Sequence, residues 1–600
     1  MTERLPRLLV ALACAALIAA LGFDLVAGPL GLSGGLLGDE GVDQYGTQWF
    51  YWFTAEKLLA WESPARAEVF FHPWGKDIYA HTGANVLDAV LAVPLRAALG
   101  PVLGYNAFVL LGMAFNAWAW TRLARAFTDD PVAIGVTAVL FATSPYILYE
   151  VAEGRPTQAI LGLLPLFWLQ VWRAGLQPGL RAPLFAGVLL ALNGLMYWFY
   201  AFFGGIVCLA HGLVRIAWPP EGAGGRAAVL ARHALIAGVA LALVAPFALP
   251  LAMRAATASD TVPGLLDVDQ WGLVQIPPVT AEGFRIGVYT WQPLLGQSGF
   301  FMLDEQGAEL FTPVHEMVGG LELLVLLAGV AVARRVDRRA LLAMTLAAAL
   351  LALGPLLVVG GLWYPNPVYI VLVKLVGFLR RLWWPGRAWA LGTIGVWAFG
   401  AIVLGWLGQR QRWAQAAAAV GLVLWTGVRH HQRELLPFPL WDPTIPAGYR
   451  CLAEGPPGAI IELPYAWNQA HVYYQTAHGR PILGGMIEDN PLFSPPESRE
   501  LREHNTFLRA LLAYDPQATT LPPWTDEDKQ AVYDLGYRYV VLQKAAYGLG
   551  EAESPLVRRA RETHLRRTTR GFQAMMGRPV FDGEDVVIYA PWGDGRPCGG

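Results

Sequence analysis

The run Gly38-Asp39-Glu40-Gly41-Val42-Asp43-Gln44-Tyr45-Gly46-Thr47-Gln48-Trp49 places three carboxylates, Asp39, Glu40 and Asp43, directly after the first apolar segment of membrane length. Lys and Arg set membrane topology and acids contribute little to it, so a stop-transfer junction has no need of them. Carboxylates at a membrane surface can take a proton from a hydroxyl, orient a sugar or hold a divalent cation such as Mg or Mn. Downstream, His72-Pro-Trp-Gly-Lys-Asp77-Ile-Tyr-Ala-His81 adds two imidazoles and a fourth acid in the same loop. The plainer alternative is a solvated loop whose acids cap interfacial helices.

Two further groups have the right chemistry for an anionic substrate. A short turn, Tyr149-Glu150-Val-Ala-Glu153-Gly-Arg155, puts acids and a guanidinium at the ends of two apolar runs. Its structural alternative is a local Glu–Arg pair, worth well under about 1 kcal/mol if exposed. Farther on, Lys374, Arg380, Arg381 and Arg387 fall on the expected outer face, against the usual bias of basic residues toward the cytoplasm. A phosphate would compensate them, because guanidinium forks bind it bidentately, and Trp383 and Trp384 suit a neighbouring lipid chain. Ordinary lipid headgroups are the competing partner.

The elements that must hold these residues are membrane helices. Of 600 residues, 55% are hydrophobic and 15% charged, with a mean hydropathy of +0.39; soluble domains carry about 25% charge. A net charge of −2 gives no footprint for nucleic acid. No Walker or HExxH pattern is present. Apolar runs of about 17–20 residues, enough to cross a bilayer, lie near 8–28, 104–121, 132–149, 157–172, 183–198, 199–214, 233–252, 317–333, 340–359, 388–407 and 412–428. They predict about eleven helices, with 183–214 either a hairpin or one kinked span. Segment 84–100, interrupted by Asp88, Pro94 and Arg96, reads as interfacial or re-entrant.

Alternate loops carry the arginines (Arg4/Arg7, Arg122/Arg125, Arg173/Arg181, Arg215/Arg226/Arg232, Arg334–Arg339 and Arg410/Arg412), which puts the N-terminus in the cytoplasm. Residues 29–103, 253–316 and 360–387 are then outer loops. An odd helix count leaves 429–600 outside. The expected division is therefore a membrane domain, 1–428, and an extracytoplasmic α/β domain, 429–600. In the latter 459–463, 537–543 and 585–589 read as strands, and 498–512 and 526–535 as helices. Ionisable groups are scarce within the apolar runs, which counts against an ion-coupled pump.

In this order of features the chain resembles the GT-C superfamily of polytopic glycosyltransferases, in particular a bacterial branch with an appended C-terminal extracytoplasmic domain. The likeness rests on Asp43-Gln-Tyr-Gly-Thr-Gln-Trp49, His72-Pro-Trp-Gly-Lys-Asp77, Gly104-Tyr-Asn106 and Ala142-Thr-Ser-Pro-Tyr146 running into Glu153-Gly-Arg155. In the tail it rests on Glu462-Leu-Pro464, Tyr474-Gln-Thr-Ala-His-Gly-Arg-Pro481 and Gly536-Tyr-Arg-Tyr-Val-Val541. It implies a polyprenyl-phosphate-linked sugar as donor and a glycan, lipid or protein acceptor, joined on the outer face of a bacterial inner membrane. An acid of the first loop would be the base: Asp43 fits the spacing to Trp49, whereas Asp39-Glu40 is similar to the acidic pair of other branches. Asp77, His72, His81, Glu153 and Arg155 would contact substrate, Arg155 standing where the branch often has histidine. Arg380, Arg381 or Arg387 would stabilise the departing lipid phosphate.

Two other classes compete with this enzyme: a transporter or flippase for an envelope lipid or polysaccharide, and a non-catalytic envelope assembly factor. An inverted repeat or charges at the membrane midplane would favour transport, and the sequence has neither feature. Of four cysteines, Cys14 and Cys208 lie in apolar runs, while Cys451 and Cys598 share the expected exported domain, where a bridge between them would tether the Gly- and Pro-rich terminus.

Overall fold

A computed structural model describes residues 4–78, 86–257, 267–268, 274–275, 286–290, 297–303, 309–316, 320–333, 338–354, 356–359, 362–375, 385–466, 469–486, 494–513, 522–547 and 555–593. The chain forms two compact units: Met1–Asp39, Ala84–Phe247 and Pro263–Trp441 make the first, and Glu40–Gly83, Ala248–Val262 and Asp442–Gly600 the second. Residues 40–83, expected within an outer loop of the membrane domain, thus cluster with the tail instead.

Each of the eleven apolar runs contains a helix: Arg4–Leu21, Pro101–Ala124, Pro131–Ala142 with Pro145–Ala152, Pro156–Ala159 with Leu163–Leu176, Arg181–Met196, Trp198–Ala217, Gly225–Thr257, Gly320–Val332, Arg338–Ala352, Trp389–Arg410 and Arg412–Gln432. Among the described residues seven segments are long and apolar enough to cross a membrane, and Arg181–Met196 and Leu323–Val332 are shorter apolar helices. The expected span 340–359 is not one helix: its helix ends at Ala352, Gly354 takes φ +63°, and Leu356–Val359 is a strand. Segment 84–100 contains the helix Val86–Leu99, with Pro94 inside it.

The 183–214 region is a hairpin. Tyr197 is extended (φ −158°, ψ 117°) between its two helices. A Cβ on Gly204 would lie 2.8 Å from Leu190 and one on Gly194 3.0 Å from Ala201, pairs symmetric about Tyr197. Glycine is what lets these backbones approach so closely.

Two helices break within the apolar unit, at Thr143-Ser144 and at Ile160–Gly162. Irregular backbone at membrane depth survives only where protein satisfies it. Here His430 bonds the Thr143 carbonyl (2.7 Å) and Asn116 donates to the Ala159 carbonyl (2.8 Å). At another end, Asp130 caps Pro131–Ala142 by accepting from Val132 and Ala133 N–H, and it also pairs with Arg412 and Gln415. The loop read as 253–316 supplies strands that sequence reasoning did not anticipate. A five-stranded sheet runs in the order 362–365, 356–359, 286–290, 297–303, 309–316.

The second unit is built on a four-stranded sheet in the order Ala459–Leu463, Tyr537–Gln543, Val586–Tyr589, Phe581–Asp582, the first pair parallel and the rest antiparallel. Strand side chains alternate faces. Ile461, Leu463, Val540, Leu542, Val587 and Tyr589 pack with Phe507, Leu511, Val532, Phe572 and Met575 from helices Thr506–Leu512, Asp526–Asp534 and Pro555–Met576. Ile460, Tyr539, Val541, Val586 and Ile588 face Tyr449, Val472 and four aromatics of the first loop, Trp49, Phe53, Phe70 and Phe71. Cys451, on helix Ala447–Glu454, is disulfide-bonded, and Cys14 and Cys208 are free; Cys598 lies outside the described residues.

One buried acid makes this unit's stability pH-dependent. Glu462 opposes Val541 in the parallel pair and accepts from the Tyr449 hydroxyl (3.0 Å). Burial pushes its carboxyl up to about 7, with His471, Tyr449 and Gln543 working the other way. Folding therefore favours the protonated form. Glu462 contributes stability below its ordinary 4.5 that is lost as pH rises through about 7, on the order of 3 kcal/mol. Burial, then Arg480 and His471, pull His478 down to about 3, so His478 has the opposite sign and loses its contribution as pH falls below 6.5. Glu462→Gln removes the falling contribution and leaves that of His478, so stability is expected to rise more steeply with pH between about 4.5 and 6.5 than in the wild type. Denaturation midpoints across that range test it, and an unchanged slope would contradict the assignment.

Candidate functional site

Asp39 is positioned by its backbone. Leu36 and Leu37 pair antiparallel with Trp441 and Leu440. Asn106, at the start of helix Pro101–Ala124, accepts from Leu37 N–H (2.9 Å) and donates to the carbonyls of Leu32 (2.8 Å) and Gly35 (2.7 Å). Gly38 N–H then bonds Pro439 and Asp39 N–H bonds the Ala152 carbonyl at 2.6 Å. Gly38 has φ +114°, and a Cβ there would meet the Ala152 and Val151 carbonyls at 2.8 and 2.9 Å, so this crossing requires glycine. Asn106→Leu should cost about 2–4 kcal/mol, since it leaves buried backbone groups unpaired; the thermal midpoint in detergent measures it.

The Asp39 side chain is exposed. Partial burial, and then the neighbouring Glu434 carboxylate, raise its pKa from the ordinary aspartate value. A carboxylate held at raised basicity on an exposed loop can serve as a general base.

Asp39 is thereby seated on the turn that carries a buried charge cluster. Glu150 is fully buried, Arg155 and Arg387 nearly so. Arg155 reaches Glu150 at 3.2 Å and Glu153 at 3.0 Å. Arg387 lies 3.8 Å from the other Glu150 oxygen and donates to the Tyr197 hydroxyl at 2.5 Å. Tyr146, one turn before Glu150 on the same helix face, shares a 2.9 Å hydrogen bond with Tyr200, which donates to the Gln158 carbonyl at 2.7 Å. Two guanidiniums, Arg155 and Arg387, and two carboxylates, buried Glu150 and partly exposed Glu153, make a formally neutral cluster in a low-dielectric surround.

The structure thus brings Asp39, Glu153, Arg155 and Arg387 into one region of the first unit. Arg387 is engaged with Tyr197 and Glu150 there. Arg380, Arg381 and His81 lie outside the described residues. The remaining expected site residues belong to the second unit. Glu40 accepts from the Tyr45 hydroxyl at 2.5 Å. Asp43 is exposed in the first turn of helix Val42–Leu59, where a negative charge suits the helix dipole.

The His72–Asp77 stretch ties the loop to the tail. The His72 ring bonds the Leu535 carbonyl at 2.8 Å, and burial lowers its pKa. Tyr537 donates to the His72 carbonyl at 2.5 Å, and Lys76, buried, donates to the Met486 carbonyl. Asp77 pairs with Arg66 in a two-residue ladder. Trp49 stacks between Phe53 (4.7 Å) and Phe70 (4.1 Å) and donates to Gln475 at 2.6 Å. The aromatic run after the acids is therefore core.

Sequence reasoning missed Asn106, Tyr197 and Glu434 as parts of this region, and read Glu150 only as one acid of a turn. The usable signal was Tyr146 and Glu150 at i, i+4. Among the described residues no group of three or more His, Cys, Asp or Glu side chains could hold a metal ion.

No family model matches the sequence. No curated protein matches it. Solved structures similar to this chain include the archaeal oligosaccharyltransferase AglB from Archaeoglobus fulgidus, in complex with an inhibitory peptide and a dolichol-phosphate (11% identity, TM-score 0.47, 92% of this chain and 71% of that one). The arabinofuranosyltransferase AftD from Mycobacteria is similar at 15% identity and TM-score 0.49, over 97% of this chain and 41% of that one. ArnT from Cupriavidus metallidurans in the apo state is similar at 11% identity and TM-score 0.48, over 98% and 99%. At these identities and scores the likeness assigns neither residue nor substrate. With seven segments long and apolar enough to cross a membrane among its described residues, the chain is a helical polytopic membrane protein.

Proposed function

We propose that this protein is a glycosyltransferase that moves a sugar from a polyprenyl-phosphate carrier to an envelope acceptor at the outer face of the bacterial inner membrane. The observation that carries the reading is Asp39: a carboxyl of raised basicity, fixed by its own backbone onto a turn with two buried guanidiniums. In this reading Asp39 takes the proton of an acceptor hydroxyl as its oxygen attacks the anomeric carbon. The bond from that carbon to the carrier phosphate breaks, and the phosphate leaves with the electron pair. The guanidiniums of Arg155 and Arg387 face the anionic side of the reaction in this reading and stabilise it. Arg387 is a positioning residue here, engaged with Tyr197 and Glu150, and Arg380 and Arg381 are the proposed phosphate ligands.

In this reading the N-terminus is cytoplasmic and 429–600 is extracytoplasmic, an orientation that the arginines of alternate loops support. Native mass spectrometry of the protein released from membranes tests carrier use. A co-purifying polyprenyl phosphate, depleted in Arg381→Ala, is expected. A protein that retains no polyprenyl phosphate while keeping phospholipids would contradict it.

A further inference from the structure

Between Pro555 and Arg578 the chain has seven arginines and one acid, Glu562, in a protein whose net charge is −2. Residues Pro555–Met576 form one helix. At about 100° per residue, Arg559, Arg566 and Arg570 fall within about 40° of one another, a stripe about 16 Å long. All three are exposed, and exposed Arg567 and Arg578 flank them. Across the helix Thr568, Phe572, Met575 and Met576 are buried, the last three in the core beneath the sheet. Glu562 meets Arg566 at 3.2 Å, an exposed i, i+4 pair that covers little of the stripe.

The apolar face of this amphipathic helix is already used by the domain, and what remains outward is basic. Nothing in the proposed sugar transfer employs it. Such a face fits a partner that is anionic, extended and flat, and that it can contact without inserting apolar groups. The unit is also tied covalently to the bilayer: the apolar helix segment Gly225–Pro250 runs into its 248–262 piece. A tether of this kind keeps a lipid surface at high effective concentration, so even weak attraction is used.

We infer that the Arg559–Arg566–Arg570 stripe docks the second unit onto anionic phospholipid headgroups. The contact is electrostatic, so it depends on headgroup charge and is screened by salt.

Energy transfer tests this in the full chain. A fluorophore on Gln573→Cys, exposed beside the stripe, is placed in a Cys14→Ala, Cys208→Ala background. The protein is reconstituted in nanodiscs of phosphatidylcholine, with or without phosphatidylglycerol, carrying a headgroup-labelled acceptor. Transfer is expected to rise with phosphatidylglycerol and to lose that gain at about 0.5 M salt. The gain is also expected to vanish in Arg559→Gln/Arg566→Gln/Arg570→Gln, which keeps helix-forming side chains, and in the corresponding triple Glu variant, each with its unfolding midpoint retained. Equal transfer in neutral and anionic discs would overturn the inference, as would a gain that survives the Gln substitutions. A stripe indifferent to phosphatidylglycerol but saturated by soluble dextran sulfate would mark a polymer site and overturn it too.

Discussion

Asp39→Asn is expected to reduce sugar transfer by about 10²–10⁴-fold, the range for loss of a general base, while leaving the fold in place. The substitution keeps side-chain size, and the Asp39 contacts that seat the loop are made by backbone. Because burial and Glu434 raise the Asp39 pKa, the wild-type rate should fall on the acid side at a higher pH than an unperturbed aspartate would give, as the base takes up its proton. Glu434→Gln removes the like charge, favours ionised Asp39, and should move that acid limb to lower pH. A merely structural Asp39 would not transmit Glu434→Gln to a pH profile. Asp43→Asn supplies the internal comparison: an exposed acid in a helix's first turn should cost about 0.3–1 kcal/mol of stability and leave most activity. A reversed ranking, with Asp43→Asn inactive and Asp39→Asn active, would move the base to the position that the spacing to Trp49 favours.

The largest effect on stability is expected at Glu150. Replacing it by Ala leaves Arg155 and Arg387 buried around an empty position, and uncompensated buried charge costs about 3–5 kcal/mol. Glu150→Gln should be milder, because the amide oxygen can still accept from one guanidinium. Arg387→Lys should fall between wild type and Arg387→Ala, since ammonium cannot bridge Glu150 and Tyr197 in the guanidinium geometry. Thermal unfolding in detergent gives the order. Equal midpoints for Glu150→Ala and wild type would mean that water reaches the cluster and screens it.

The membrane helices were legible because each is a long apolar run, a local signal. Ala459–Leu463 and Tyr537–Gln543 were legible for the same reason, as short apolar runs. What escaped depends on contacts between distant residues. Trp49 and Gln475 are 426 positions apart, so nothing near Trp49 indicates that its aromatic run is a core instead of a membrane-surface helix. Glu150 reads as a turn acid until Arg387, from a segment far along the chain, is seen beside it. Asn106 looks like an ordinary helix start, and its three hydrogen bonds reach back to residues 32–37. The strands within 253–316 lie among Gly and Pro residues that mark loops in sequence.

Mass spectrometry of the lipid extract from cells lacking this protein, with wild-type and Asp39→Asn complementation, tests sugar transfer most directly. The proposed reaction consumes a polyprenyl-phosphate-linked sugar. That species should accumulate in the deletion strain, return to its normal level with the wild-type chain and stay high with Asp39→Asn. An unchanged pool of polyprenyl-phosphate sugars in all three strains would contradict it.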